Sequence, residues 1–96
     1  MLNIKLTDRA KKDLRSIVLY TRKNFGSGQA TLYVKELQAK IQLLARSPKL
    51  GALRPELRPD IRSSPFKSHT VFYYSDKNNL TVVTVLHNSM EPSKHL

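Results

Sequence analysis

The stretch KSHTVFYYSDKNNLTVVTVLH, residues 67–87, decides the fold. Its first half carries Val71, Phe72, Tyr73 and Tyr74; its second carries Leu80, Val82, Val83, Val85 and Leu86. β-Branched and aromatic side chains fit a pleated surface, and Asp76-Lys77-Asn78-Asn79 between the halves is turn chemistry. The reading is a hairpin of strands over Lys67–Ser75 and Leu80–His87, with a tail, Asn88–Leu96, behind it. Apolar residues occupy even positions (Phe72, Tyr74, Val82, Leu86) and odd ones (Val71, Tyr73, Val83, Val85) alike. A sheet covered on one side alternates more cleanly than that. Both faces therefore need cover. The N-terminal half supplies it for one, and a partner or substrate is expected on the other.

Upstream, Leu2, Ile4 and Leu6 alternate with Asn3 and Lys5, which predicts a short strand. Thr7 or Asp8 caps a helix running to about Asn24. Ala10, Leu14, Ile17, Val18 and Thr21 share one side of it, Phe25 extends that stripe, and Lys11, Arg15 and Arg22 share another flank. Gly26-Ser27-Gly28 closes the helix and opens a tight connection. A second helix spans about Gln29 to Arg46. Ala30, Val34, Leu37, Ile41 and Leu44 form one stripe, with Tyr33 at its edge. Leu32, Ala39 and Leu43 form another, almost diametrically opposite. A surface helix needs one apolar stripe, so the second either packs on the first helix or forms a groove for a partner helix.

Ser47-Pro48-Lys49-Leu50-Gly51 terminates the second helix. After a loop over Ala52–Pro59, a basic strand runs from Leu57 or Arg58 to Ser64. Arg58 and Arg62 lie two pleats apart with Asp60 between them. Pro59 makes it an edge strand, and Pro65 ends it. The expected fold is a single α+β domain over residues 1–96. Its order is an N-terminal strand, an antiparallel two-helix hairpin, then a three-stranded antiparallel meander (β-α-α-β-β-β).

Seventeen Lys and Arg against seven Asp and Glu give a net charge of +10. That balance favours an anionic partner: nucleic acid, an acidic protein, or a complex of the two. With no Cys there is no disulfide framework and no thiolate metal site, which fits a reducing compartment. The start, Met1-Leu2-Asn3-Ile4-Lys5, has no secretory h-region, and no apolar run is long enough to span a bilayer. A cytoplasmic protein is expected.

His69, His87 and His95 are scattered, with no HExxH motif and no carboxylate at ligand spacing, so no metal site is expected. Phosphate loops and a nucleophile elbow are absent, and no cofactor or small-molecule substrate is implied. The one enzymatic arrangement that can be assembled gathers Arg62, Lys67, His69 and His87 at one end of the sheet. There His87 would serve as acid or base, and Arg62 and Lys67 would stabilise charge on a phosphate. Arg54, Arg58 and Arg62 are either a solvated edge or contacts to phosphate or carboxylate. Of Tyr73 and Tyr74, one must face away from the other, where it could stack on a base or pack on a peptide.

Several segments together resemble the ParE/RelE toxin superfamily of bacterial toxin–antitoxin pairs. Leu6-Thr7 opens the first helix ahead of Ala10, Asp13-Leu14 and Ile17. Glu56-Leu57-Arg58-Pro59 precedes Ile61-Arg62-Ser63. Ser68-His69-Thr70-Val71-Phe72-Tyr73 resembles the family's SHxxFY signature, and Val85-Leu86-His87-Asn88-Ser89-Met90-Glu91 its VLHxxMD signature, with Glu91 where Asp is usual. The resemblance covers nearly the whole chain. It implies a toxin neutralised by an antitoxin whose C-terminal segment lays a helix on the helical hairpin and extends along the sheet. Leu32, Ala39, Leu43, Arg58, Arg62 and Tyr73 are the expected contacts. RelE- and YoeB-like members cut mRNA on the ribosome, whereas ParE-like members poison DNA gyrase, block replication and stabilise plasmids or chromosomes. The cutting branch carries an Arg directly after the central-strand His. Here that position is Thr70, which has no charged fork for a phosphate. The resemblance thus implies a non-enzymatic gyrase inhibitor, with Arg54, Arg58, Arg62 and His87 as candidate target contacts and DNA met only through gyrase or the antitoxin. The alternative is an endoribonuclease using Arg62, His69 and His87.

Overall fold

The computed structural model describes residues 1–96. β1 (Asn3–Leu6) leads into α1 (Asp8–Phe25) and α2 (Ser27–Arg46). After a single 3-10 turn at Pro48–Leu50 come β2 (Ala52–Leu53), β3 (Arg62–Phe66), β4 (His69–Ser75) and β5 (Asn79–His87). The strands form one sheet in the order β1-β5-β4-β3-β2. The expected α+β layout and antiparallel β3-β4-β5 meander are present. β1 joins beside β5 in parallel, pairing Asn3 with Asn79 and Leu6 with Val82, so the sheet is mixed.

The switch from β1 to α1 is made by Thr7. Its backbone stays extended (φ −67°, ψ 163°), and its hydroxyl accepts the Ala10 N–H at 3.0 Å, an N-cap. Such a cap contributes about 1 kcal/mol. Asp8 in the first turn and Arg22 and Lys23 in the last complement the helix dipole. The hydroxyl also donates to Val83 O at 2.5 Å, fastening the helix start to β5. Nearly two turns later the Asp13 carboxylate accepts the Val85 N–H at 3.0 Å and the Thr84 hydroxyl.

Gly26 joins the two helices alone. Its φ of 91° is one that residues with a Cβ rarely adopt. It receives the C-terminal bond of α1 (Gly26 N–H to Arg22 O, 3.0 Å) and the N-terminal bond of α2 (Ala30 N–H to Gly26 O, 3.2 Å). α2 therefore starts at Ser27, two residues before the expected Gln29, with Gly28 inside the helix.

On the helix side of the sheet the core joins Ala10, Ile17, Leu37, Ile41 and Leu44 to Phe66, Val71, Tyr73, Leu80, Val82 and Val85. On the opposite side Ile61, Phe72 and Leu86 form a smaller core, flanked by Leu57, Val83 and Leu96. The chain thus covers much of the second face with its own loop and tail, where a partner was expected. The apolar residues of β5 on both faces are accommodated by a bulge. The register passes from Phe72↔Thr84 to Tyr73↔Val82, leaving Val83 without an opposite number.

Two boundaries differ from expectation at β3. It begins at Arg62, because Pro55–Leu57 and Pro59–Asp60 are turns, and it runs through Pro65 to Phe66. β2 pairs only with Ser63 and Arg62, so Pro65 lies beyond it and its missing N–H breaks no ladder there. Tyr73, expected at a partner surface, is fully buried. Its hydroxyl donates to Pro48 O and accepts from Gly51 N–H, both at 2.8 Å. Gly51 is required at that contact, since a Cβ would collide with the Tyr73 ring and lie 2.9 Å from Ser63 O.

Asp13→Ala should strand two buried donors, the Thr84 hydroxyl and the Val85 N–H, and lower stability by about 3 kcal/mol. Urea unfolding with an unchanged slope is the measurement, and a loss within ~0.5 kcal/mol would mean water replaces the carboxylate.

Candidate functional site

The β4–β5 register places His69 directly opposite His87 at the end of the sheet farthest from Ser75 and Asn79. Their rings meet edge to face with centroids 5.3 Å apart. α2 brings Tyr33 to the same place, its hydroxyl 2.6 Å from His69 Nδ1. Burial, and secondarily the Glu36 charge, raises the Tyr33 phenol above its ordinary value. Burial, and secondarily His87, lowers the His69 imidazole below its ordinary value. A phenol that keeps its proton beside a neutral imidazole donates to it, so Nδ1 of His69 is the acceptor and Nε2 carries the proton. His87 Nδ1 likewise accepts the Ser89 N–H at 3.1 Å, with Ser89 Oγ at 2.8 Å. The neutral His69 ring, with Nδ1 engaged by Tyr33, offers no free lone pair for a general base.

Lys67 closes one wall. It sits in the turn between β3 and β4 at φ 54°, a conformation uncommon outside glycine. Its ammonium pairs with Glu36 and lies 5.4 Å from the Tyr33 ring centroid and 5.8 Å from that of Phe66. Beside this group is a cleft of about 430 Å³ that also touches Tyr20, Phe25 and Gln29. A second of about 490 Å³ reaches Asp13, Ser16 and Met90. No three His, Asp or Glu side chains converge as metal ligands.

Lys67, His69 and His87 meet as the sequence suggests, but Arg62 does not join them. It pairs with Tyr73, four residues along β3 from Phe66, which is the residue opposite His69. At about 3.3 Å per residue that is roughly 13 Å away. Its guanidinium donates to Gly51 O at 2.8 Å and Lys49 O at 3.4 Å, holding the 3-10 turn and β2. The expected Arg54, Arg58, Arg62 group is therefore split. Arg62 lies on the helix side, while Arg54 and Arg58 lie 5.9 Å from the ring centroids of Phe72 and Tyr74 on the other.

The helical hairpin presents a second candidate surface. A groove of about 340 Å³ runs between α1 and α2, lined mainly by Leu14, Val18, Leu19, Val34, Leu37 and Ile41. On the outer flank of α2, Leu32 and Leu43 are 47% and 42% exposed, and Ala39 is exposed beside them. This exposure favours the reading of the stripe as a surface over the reading that packs it on α1. Sequence reasoning missed Tyr33 as the partner of His69, because its position reports only the edge of a helical stripe. Asp13 as the clamp on β5 was missed too, although a carboxylate nearly two turns inside a capped helix was a visible signal.

The lowered His69 value has a pH consequence. The unfolded chain binds a proton at His69 near pH 6.5 while the folded chain resists it, so stability is full above ~6.5 and falls as pH drops through that point. His69→Gln should flatten the stability–pH curve between about pH 7 and 5. An unaltered slope, read from thermal unfolding across that range, would contradict a neutral buried imidazole.

The family model described as "ParE toxin of type II toxin-antitoxin system, parDE" matches residues 4–92. Toxin ParE1 of Caulobacter vibrioides is 38% identical over 92 residues, covering 96% of this chain and 95% of that protein. Toxin ParE1 of Mycobacterium tuberculosis is 35% identical over 92 residues, covering 95% and 94%. Toxin ParE of Escherichia coli is 33% identical over 87 residues, covering 90% and 84%. Among solved structures, the chromosomal ParDE system of P. aeruginosa superposes with a TM-score of 0.77 at 19% identity, covering 91% of this chain and 96% of that one. The YoeB dimer of Staphylococcus aureus gives 0.64 at 17%, covering 91% and 97%. Both share the fold. The sequence matches run across the helical hairpin and the strands alike, and this chain is a member of the ParE toxin family of type II toxin–antitoxin systems.

Proposed function

We propose that this toxin arrests growth in the cytoplasm by binding DNA gyrase and trapping its DNA-cleavage complex, without catalysing a reaction of its own. The observation that carries the non-enzymatic reading is the separation of Arg62 from the His69–His87 pair. A ribonuclease needs a cation at the scissile phosphate and a group with a free lone pair beside it. Here the Arg62 fork is engaged by backbone carbonyls. Both imidazoles have Nδ1 occupied, and Thr70 after His69 bonds Asn88 instead of offering charge. DNA is met only through gyrase or the antitoxin. Arg54, Arg58 and His87 are the candidate target contacts; His87 is exposed, Arg58 is half-buried, and Arg54 is shared with Glu56 and Ser63.

Purified toxin added to gyrase and supercoiled plasmid should yield linear DNA after detergent and protease, or block supercoiling. The absence of both at micromolar toxin, together with codon-positioned cuts in mRNA from induced cells, would replace this reading with the endoribonuclease one.

A cognate antitoxin neutralises the toxin by laying an amphipathic helix along the hairpin. The groove between α1 and α2 and the exposed Leu32, Ala39, Leu43 flank support this. Leu43→Glu should weaken antitoxin binding at least about tenfold with little change in the melting temperature, because the side chain is 42% exposed on the outer flank of α2. Unchanged affinity by calorimetry would remove the outer flank from the interface.

A further inference from the structure

Helix α1 carries a row of cations that nothing in the chain neutralises. Lys11, Lys12, Arg15, Arg22 and Lys23 are all exposed, and none belongs to an ion pair. At about 3.6 residues per turn they share the side of the helix turned away from the buried Ala10, Ile17 and Thr21. The row rises about 18 Å from Lys11 to Lys23. The two acids of α1 are committed elsewhere. Asp13 holds Thr84, Val85 and Arg9, and Asp8 sits in the first turn, at the positive end of the helix dipole. Lys11 and Lys12 stand one turn from Arg15, and like charges at that spacing repel. A face charged for solubility alone would intersperse the two signs. This one destabilises the lone chain slightly and awaits an anion of matching length.

We propose that this outward face of α1 lies along the sugar–phosphate backbone of a DNA duplex, as a contact independent of base sequence. A duplex carries one negative charge per ~1.7 Å of axis, so a straight row of cations finds phosphates whatever its own spacing. An acidic peptide would have to match its carboxylates to the row one by one. Most of the row is Lys, a compact charge that binds phosphate without edge-to-edge geometry. Leu19, 62% exposed between Arg15 and Arg22, meets the apolar side of deoxyribose. Contacts of this kind reach only about 10⁻⁴–10⁻⁶ M at physiological salt, too weak to hold DNA unaided in the cell. They become effective where gyrase already holds the duplex and the toxin together, because the local concentration is then high. The inference rests on the gyrase reading for the source of the duplex, and it deepens that reading by naming what α1 touches in the complex.

The test is fluorescence anisotropy of a labelled duplex of about 20 base pairs, titrated with the full chain between about 0.05 and 0.2 M salt. The logarithm of the affinity should fall linearly with the logarithm of salt, with a slope of about −3.6 for roughly four phosphates neutralised. Arg15→Gln with Lys23→Gln should weaken binding about tenfold and make the slope shallower by about 2. Lys49→Gln with Lys77→Gln removes the same charge from exposed positions outside α1, and it should leave affinity and slope unchanged. Equal losses from the two pairs would overturn the proposal, since net charge alone would then explain the binding. So would an RNA duplex or a poly-glutamate peptide that binds more tightly than DNA at equal charge. If the α1 pair fails to fold, Lys12→Gln replaces it, with the slope shallower by about 1. In the gyrase reaction the α1 pair should require about tenfold more toxin for the same yield of linear DNA. Wild-type potency would remove α1 from the complex and sink the inference. No linear DNA from the wild-type chain would instead remove the gyrase reading and leave the duplex titration to decide alone.

Discussion

The layout hangs on one exposed strand edge. β5 pairs with β4 along its length but with β1 only as far as Val82. Beyond that point its backbone would face open water beside a buried core, a condition that invites foreign strands. α1 supplies the missing partners. Thr7 N–H bonds Val82 O at 3.1 Å, the Thr7 hydroxyl bonds Val83 O, and Asp13 takes the next N–H. These bonds fix the path of α1 across the sheet. The path of α1 in turn sets where α2 returns, and α2 delivers Tyr33 to His69. A hydroxyl and a carboxylate thus connect strand order to the geometry of the histidine cleft, some 36 residues of chain apart at its closing contact.

What was legible in the amino-acid order was what local chemistry determines. Helical stripes, the cap at Thr7 and the β-branched runs of β4 and β5 report nearest neighbours, and their elements appeared where periodicity placed them. β1's parallel seat beside β5 was not legible, because a four-residue strand carries no mark of which partner it takes. Arg58 and Arg62 read as neighbours on one strand because period-two spacing was applied across Pro59 and Asp60, which are turn residues. Tyr73 and Tyr74 read as interchangeable. Only the register against Arg62 and the close approach of Gly51 send Tyr73 inward. The unexpected cover on the outer face comes from Leu57, Ile61 and Leu96, isolated apolar residues in loop and tail that no periodic pattern could gather.

Charge and apolar surface are distributed with some separation. The chain carries +10, yet acids neutralise Arg9, Arg54, Lys67 and Lys94 locally. Exposed ion pairs of this kind contribute little to stability. They do hold side chains in place, as Glu36 holds Lys67 over Tyr33 and Phe66. The helical hairpin offers mainly grease, whereas the opposite side of the sheet offers guanidinium over aromatic rings. These are surfaces of different chemistry on opposite sides of one thin sheet.

The single-glycine joint at Gly26 leaves the two helices almost no slack. A longer connection would let them splay like the legs of a compass, so that binders of different girth could be accommodated. With one residue between them, and with Asp13 anchoring the first leg, the spacing is set before any binder arrives. Any selectivity the groove exercises would then rest on the side chains of Leu14, Val18 and Val34, whose separation the backbone already holds.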